Sequence, residues 1–236
     1  MLIRGIHRFY DRKLRSYRKK LYAQRTQFVL GAIRTSSNLL ILGARDAFVG
    51  RIVRHTGGGL VYYLVDKAPL HDPPENFVFR ESDLNEKIPF DDDGFECVSA
   101  DQVIEHLVRP DTFLREVHRV SKDGATLLHT SENLSAWHNI FALLLGYHPF
   151  SDHYSEYVRV GNPLSPRHLK PFTDPLMRHA KLPTVRALEE LLNLNGFAVE
   201  QLRGFGHFLP LGNRLDPYHA FQFVFVTRVR KSTLVA

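Results

Sequence analysis

A short apolar run that ends in a glycine turn is the first place in the chain where ligand chemistry is expected. Residues 39–50 read LLILGARDAFVG, which predicts a buried strand followed by a tight turn. Gly43 opens the turn, and a glycine there lets the backbone adopt positive φ and come close to a ligand. Arg45 and Ala47 occupy the positions where a nucleotide-type ligand usually meets further glycines. The turn therefore either holds a cofactor or has lost one.

Groups that could accept a proton are concentrated in residues 131–182. Histidine titrates near neutral pH, and the candidates in this segment are His138, His148, His153 and Tyr154. No histidine pair has the helical i, i+4 spacing with a third carboxylate ligand nearby, so we expect no metal. Aromatic residues of the same segment could line a substrate, but we expect them to belong to the core: Trp137, Phe141, Tyr147 and Phe150.

The order of strand-like and helix-like segments predicts an α/β fold. Strands are predicted at residues 38–43, 60–66, 77–79, 95–100, 125–130, 197–205 and 220–229. Helices are predicted around residues 113–120 with Gly124 as the stop, over 137–145, and between Pro183 and Gly196. This alternation argues for a parallel sheet covered by helices on both faces. Residues 131–182 interrupt the rhythm, and a segment of this length is usually a lid, a binding loop or disordered.

Positive charge is concentrated at the N-terminus. Residues 1–34 contain ten of the 31 Lys and Arg residues and a single acid, Asp11, whereas the rest of the chain has a small excess of acids. Apolar residues recur there at helical spacing: Ile3, Ile6, Tyr10, Leu14, Tyr17 and Leu21. Such a basic amphipathic helix could pack on the body of the protein, as we expect, or lie on an anionic membrane surface, or contact nucleic acid phosphates.

Cysteine content and hydropathy favour a cytoplasmic protein. The chain has one cysteine, Cys97, which excludes an intrachain disulfide and a cysteine metal cluster. We find no apolar run that resembles a signal peptide or that would span a bilayer. We therefore expect a cytoplasmic location, with a peripheral membrane position as the alternative that the basic helix suggests.

The central stretch ESDLNEKIPFDDDGFECVSADQVIEHL, residues 81–107, resembles class I S-adenosylmethionine-dependent methyltransferases of the type 11 kind. The family has an Asp-Leu pair, a Pro-Phe, an acidic turn, a Phe-Asp or Phe-Glu that opens the fourth strand, and then a Glu-His. These correspond here to Asp83-Leu84, Pro89-Phe90, residues 91–93, Phe95-Glu96 and Glu105-His106. The resemblance covers roughly residues 36–230. It implies a Rossmann-like, seven-stranded, mostly parallel sheet with a reversed last strand and helices on both faces.

The resemblance also implies where S-adenosylmethionine would bind. The first turn of the family corresponds to Gly43, Ala44 and Arg45, and the acid that binds the ribose hydroxyls corresponds to Asp66, followed by Lys67. Asp83 and Leu84 correspond to the position that holds the adenine amino group. Asp101 and Gln102 correspond to the neighbours of the methionine portion, and Asp101 could also cap a helix that begins at Gln102, since a cap and a ligand contact do not exclude each other. His106 and His138 are the candidate catalytic residues, and we expect no metal ligands.

The resemblance implies a domain division and an activity. Residues 1–35 would form the basic helix, and residues 36–230 the methyltransferase-like domain, with residues 131–182 as an inserted lid. The expected reaction is methyl transfer to the oxygen of a small molecule, a saccharide or a lipid-linked intermediate by in-line displacement. The alternatives are a binding protein that has lost catalysis and a nucleic-acid methyltransferase. The last is disfavoured because Asp101-Gln102-Val103-Ile104 stands where amino-directed enzymes carry an Asn-Pro-Pro-Tyr-type tetrapeptide.

Overall fold

The computed structural model describes residues 2–33, 38–43, 46–57, 61–67, 69, 73, 76–172, 178–207 and 212–233. The helices are α1 (Leu2–Ala32), α2 (Asp46–Thr56), α3 (Pro110–Val120), α4 (Trp137–Leu144), α5 (Val185–Leu194) and α6 (Gly212–Leu215). The strands are β1 (Asn38–Leu42), β2 (Val61–Asp66), β3 (Phe77–Glu81), β4 (Phe95–Asp101), β5 (Ser121–Glu132), β6 (Phe197–Phe205) and β7 (Gln222–Val229). Short 3-10 turns lie at Ile104–His106, Pro217–His219 and Lys231–Thr233.

The seven strands form one sheet in the order β3-β2-β1-β4-β5-β7-β6. The pairs from β3 to β5 are parallel, and β7 runs antiparallel to both of its neighbours, β5 and β6. The predicted Rossmann-like sheet with its reversed last strand is therefore confirmed. The order of connections reverses between β1 and β4, and the C-terminal ends of strands at such a point form the usual ligand crevice of open α/β sheets.

Each face of the sheet has its own apolar core because successive side chains of a strand point to opposite faces. Leu40 and Leu42 of β1 belong to one core, together with residues of α3 and α5. Leu39 and Ile41 belong to the other core, together with residues of α1 and α2. Four of the five residues of β1 are fully buried, which explains its continuous apolar sequence.

The C-terminal half of α1 packs on the second core. Leu21, Val29 and Ile33 are buried there, whereas Tyr17 is 47% exposed. The packing interpretation of the basic helix is thus confirmed for the part that follows Tyr17; the side chains of residues 2–15 lie outside the described part of the chain. Within the described residues, no helix combines the length and the apolar character that a bilayer span requires.

Two local predictions around β5 are wrong. Helix α3 ends at Val120 and not at Gly124, because the backbone N–H and the hydroxyl of Ser121 both donate to the Val117 carbonyl. Ser121 then pairs with Phe95 of β4, so β5 begins four residues earlier than predicted. Gly124 has φ of +73°, a conformation that favours glycine, but the conformation occurs inside the strand segment and not at a helix end.

The segment 131–182 is folded by local hydrogen bonds over most of its described part. The Leu134 N–H donates to the Pro183 carbonyl at 2.9 Å, which brings the two ends of the segment together. The expectation that its four aromatics belong to the core is wrong: Trp137 is 41% exposed and Phe141 is 64% exposed, and Tyr147 and Phe150 are only partly buried and join neither core. Helix α4 is short and apolar almost all round, so one face packs inward and the other remains at the surface.

Candidate active site

The predicted cofactor residues that the structure describes lie at one edge of the sheet. Gly43 follows β1, Asp66 ends β2, Asp83 follows β3 and Asp101 ends β4. These four strands are parallel neighbours, so their C-terminal ends share one edge. Ala44 and Arg45, which complete the predicted first turn, lie outside the described residues.

Gly43 is held tightly against the segment that follows β4. Its N–H donates to the Val65 carbonyl at 2.9 Å, and its φ is +62°. A Cβ atom at this position would lie 2.8 Å from a methyl carbon of Val103 and 3.6 Å from the side chain of Leu84. A side chain is therefore excluded here both by the backbone conformation and by packing.

A carboxylate and lysine network lies beside this turn. The Lys67 N–H donates to Asp66 Oδ1 at 2.6 Å, and Lys67 Nζ lies 2.9 Å from Asp83 Oδ2. The backbone and side-chain amides of Asn85 both donate to Asp83 Oδ1, each at 2.9 Å. The Asn85 backbone N–H is the largest cause that lowers the pKa of Asp83 to about 2, and Lys67 lowers it further against the effect of burial. Asp83 is therefore ionised and fixed, while Leu84 next to it is buried in the core.

Asp101 is engaged in a buried network that the sequence did not reveal. Its two carboxylate oxygens accept hydrogen bonds from Arg25 of α1 at 3.0 Å and from the Thr130 hydroxyl at 2.7 Å. Arg25 also donates to Gln222 of β7, and Gln222 donates to Gln102. Arg25 belongs to the basic N-terminal segment, and no local pattern distinguishes this inward-pointing cation from the others of that segment.

The alternative in which Asp101 caps a helix is wrong. The 3-10 turn after β4 begins at Ile104, and the residue before it, Val103, makes no side-chain cap bond. Gln102 has φ of +57°, which is a strained conformation for a residue with a side chain. Its N–H donates to the hydroxyl and the carbonyl of Thr130, and these bonds hold the strained turn in place.

A second cluster, Glu105, His106 and His179, lies just past the same strand. Each side chain offers one atom that could ligate a metal ion, and these three atoms lie within 4.8 Å of one another. The Glu105 carbonyl accepts from the N–H groups of Ala180 at 2.7 Å and Lys181 at 3.2 Å, which fixes the segment that carries His179. Burial raises the pKa of the Glu105 carboxyl to about 8. The pair Glu105-His106 is visible in the sequence, whereas His179 is brought to it only by folding.

Ser151 connects this cluster to the other candidate catalytic histidine. Its hydroxyl lies 3.2 Å from His138 Nε2, and its carbonyl accepts a hydrogen bond from His179 Nδ1. His153 stacks on His179 with 5.2 Å between ring centroids, and burial lowers its pKa to about 4. The structure thus brings together the imidazoles of α4, of the inserted segment and of the turn after β4.

The other two predicted proton acceptors of the segment are less well placed. His148 Nε2 lies 3.5 Å from a carboxylate oxygen of Asp152, one residue before His153. Tyr154 is 86% exposed, and its ring packs beside His148. Among the described residues, these two side chains contact Asp152 and each other and not the cluster of Glu105, His106 and His179.

The fold and the row of ligand-type groups at its edge define a Rossmann-like protein with a cofactor crevice. A family model described as a methyltransferase domain matches residues 14–202, which is most of the chain. The chain belongs to the class I S-adenosylmethionine-dependent methyltransferases, and its cofactor is S-adenosylmethionine. The match begins inside α1, so the family region includes the part of the helix that carries Arg25.

Solved structures support the same fold at low sequence identity. An S-adenosylmethionine-dependent methyltransferase from Mesorhizobium loti is 12% identical with a TM-score of 0.55, over 86% of this chain and 96% of that one. One from Methanosarcina mazei is 15% identical with a TM-score of 0.55, over 86% and 97%. The [4+2]-cyclase SpnF is 14% identical with a TM-score of 0.56, over 88% and 81%. No curated protein sequence matches the chain.

The packing of Gly43 leads to a prediction about folding stability. Gly43→Ala introduces both an unfavourable φ and a contact with Val103, whereas Gly57→Ala at φ of +70° introduces only the unfavourable φ, because no atom of the described residues lies within 4 Å of the added Cβ. We expect the free energy of unfolding to fall by roughly 1–3 kcal/mol more for Gly43→Ala than for Gly57→Ala, the usual cost of overpacking. Urea unfolding of the two variants measures the difference. Equal losses would show that the turn after β1 is not packed as described.

Proposed function

We propose that the protein transfers the methyl group of S-adenosylmethionine to a hydroxyl oxygen of a small molecule or a saccharide, including lipid-linked saccharides. The observation that carries this proposal is the cluster of His106, His138, His153 and His179. Of these, His106 follows closely after Asp101 and Gln102. In the family these two positions adjoin the methionine portion of the cofactor. Basic imidazoles there would face the acceptor, and a hydroxyl is the acceptor that most needs a base.

The chemistry of methyl transfer sets what the residues must do. The sulfonium has a good leaving group, so the protein mainly supplies proximity, orientation and electrostatics. A hydroxyl is a weak nucleophile until it loses its proton, and a neutral imidazole can take that proton near pH 7. The His106 Nδ1–H donates to the Arg178 carbonyl at 2.7 Å, so the basic lone pair of His106 is on Nε2. His138 is the second candidate base.

The cofactor would occupy the other half of the same edge. Asp66 would accept hydrogen bonds from the ribose hydroxyls, and Asp83 with the Leu84 backbone would hold the adenine amino group. The fixed, ionised state of Asp83 supports this role, as does the bare backbone at Gly43. The remaining proposed contacts are Ala44, Arg45, Lys67, Asp101 and Gln102.

The inserted segment would form the acceptor side as a lid. Residues 178–181 are hydrogen-bonded to Glu105 and His106, which places one end of the segment at the crevice. Trp137 and Phe141 leave apolar surface exposed on α4. Such surface suits an acceptor with an apolar part, and this supports residues 36–230 as a single catalytic domain with residues 131–182 as its lid.

A binding protein without methyl transfer is the second candidate, and one observation favours it. Both carboxylate oxygens of Asp101 already accept hydrogen bonds, from Arg25 and Thr130. Asp101 is thus less available to a ligand than the family position implies. The likeness to the [4+2]-cyclase SpnF is consistent with a fold that also accommodates a reaction other than methyl transfer.

A methyl-transfer assay tests the proposal. Labelled S-adenosylmethionine is incubated with a panel of hydroxyl, amine and thiol acceptors that includes saccharides and lipid-linked saccharides. We expect label on oxygen, and for His138→Gln and His106→Gln a fall in kcat of roughly 10²–10⁴-fold with little change in cofactor affinity. His55→Gln, at an exposed histidine of α2, is the matched control and should retain full activity.

Label on nitrogen or sulfur would contradict the acceptor class. Cofactor binding without transfer to any acceptor would favour the binding protein.

A peripheral membrane position is part of the same proposal. Lys19 and Lys20 of α1 are exposed, and so are the apolar side chains of Leu143, Leu144 and Leu145 at the end of α4. Cations and apolar residues at a surface favour an anionic bilayer.

Sedimentation with vesicles tests this position. We expect binding to vesicles that contain anionic lipid, and binding weakened roughly tenfold or more by Lys19→Glu with Lys20→Glu, since each basic residue contributes about 1 kcal/mol. Lys87→Glu with Lys170→Glu makes the same charge change at other exposed lysines and should have a smaller effect. Equal effects of the two double variants would contradict a membrane-facing α1.

A further inference from the structure

The side chain of Glu105 is the least expected group at the edge of the sheet. It is fully buried, and its Oε2 atom has no hydrogen-bond partner among the described residues. Glu105 also forms no ion pair with a Lys or Arg in that part of the chain. Burial of a carboxylate is costly unless a cation or several donors compensate it. A positively charged ligand beside this carboxyl group would supply that compensation and give Oε2 a partner.

The two neighbouring histidines are oriented as metal ligands usually are. His106 Nδ1 lies 2.7 Å from the Arg178 carbonyl, and His179 Nδ1 contacts the Ser151 carbonyl. Since a carbonyl only accepts, each Nδ1 carries the hydrogen and each Nε2 carries the lone pair. A hydrogen bond from the second ring nitrogen to a backbone carbonyl is the common outer-shell support of a metal-binding histidine.

Backbone hydrogen bonds hold the segment that carries His179 against Glu105 and His106. The N–H groups of Ala180 and Lys181 donate to the Glu105 carbonyl, and His106 Nδ1 bonds to the Arg178 carbonyl of the same segment. The ring of His153 stacks on His179 and restricts its rotation. The cluster is therefore held in place by hydrogen bonds and stacking, and its two histidines are half-buried.

We propose that Glu105, His106 and His179 bind a divalent transition-metal ion. Their donor atoms lie within 4.8 Å of one another, and ligands around Zn²⁺ at bond lengths of about 2.0–2.2 Å are separated by roughly 3.4 Å. A small contraction of the side chains thus suffices to close the site.

The ligand types identify the class of ion. Two imidazoles and one carboxylate suit Zn²⁺, Fe²⁺ or Co²⁺, whereas Mg²⁺ and Ca²⁺ prefer oxygen ligands. Three protein ligands leave coordination positions open, as in catalytic rather than structural sites. A bound ion of this kind lowers the pKa of a coordinated oxygen. The site would then engage the His106 lone pair and leave His138 as the base; this last point rests on the proposed function, whereas the ion site does not.

Co²⁺ is the probe that tests the site, because its visible absorption bands report the ligand set. The full chain, stripped with a chelator, is titrated with Co²⁺ and then with Zn²⁺ as competitor. We expect one tight equivalent with bands of four- or five-coordinate Co²⁺ in the wild type. Glu105→Gln and His179→Ala should weaken binding roughly tenfold or more. His55→Ala removes an exposed imidazole far along the chain and should have no effect.

Several outcomes would overturn the proposal. These are the absence of a stoichiometric site in the wild type, equal losses in His55→Ala and His179→Ala, and displacement of Co²⁺ by an equal concentration of Mg²⁺. Urea unfolding of each apo-variant separates lost binding from lost folding, and Glu105→Gln preserves the shape of the side chain. S-adenosylmethionine affinity of the stripped protein is measured in parallel, so that failure of the ion site is distinguished from failure of the methyltransferase proposal.

Discussion

The buried ion pair between Arg25 and Asp101 is the interaction on which the arrangement of the crevice depends. The two side chains are 5% and 11% exposed and lie 3.0 Å apart. The Thr130 hydroxyl donates to Asp101 and Gln222 accepts from Arg25, so that α1, β4, β5 and β7 meet at one polar centre. Loss of one partner from such a pair typically costs about 3–5 kcal/mol, because it leaves a buried charge uncompensated.

This ion pair also shows that the basic residues of the N-terminal segment do not all have the same role. Arg25 points inward and belongs to the architecture of the crevice, whereas Lys19 and Lys20 point outward. The net charge of the segment therefore combines a structural cation with solvated ones. Lys19 and Lys20 are the cations that face the solvent. Removal of the whole helix would remove Arg25 together with them.

The edge of the sheet divides into two chemically different halves. Gly43, Asp66 and Asp83 provide open backbone and fixed carboxylates on the side of β1 to β3, which suits a nucleoside. Glu105, His106 and His179 provide imidazoles and a buried acid beyond β4, which suits an acceptor or an ion. Because methyltransferases and a cyclase share this fold, the sheet by itself does not decide the reaction.

Local patterns predicted much of the fold, and non-local contacts account for what they missed. The continuous apolar run of β1, the glycine after it and the acids at strand ends are short-range features, and the sheet topology followed from the family resemblance. Arg25 and His179 could not be found in this way, because each reaches its partners only after distant segments have packed. The prediction that Phe141 is buried was wrong for a similar reason. The sequence of a short apolar helix such as α4 does not show which of its faces packs on the rest of the protein.

The most direct test of the account is calorimetric titration of the full chain with S-adenosylmethionine. We expect micromolar binding to the wild type. Binding should be weaker by roughly tenfold or more in Asp66→Ala, where two hydrogen bonds to a charged acceptor are lost. It should be unchanged in Asp91→Ala, which alters an exposed acid of the turn before β4. No binding to the wild type, or equal affinities of Asp66→Ala and the wild type, would contradict a cofactor crevice at the C-terminal ends of β1 to β4.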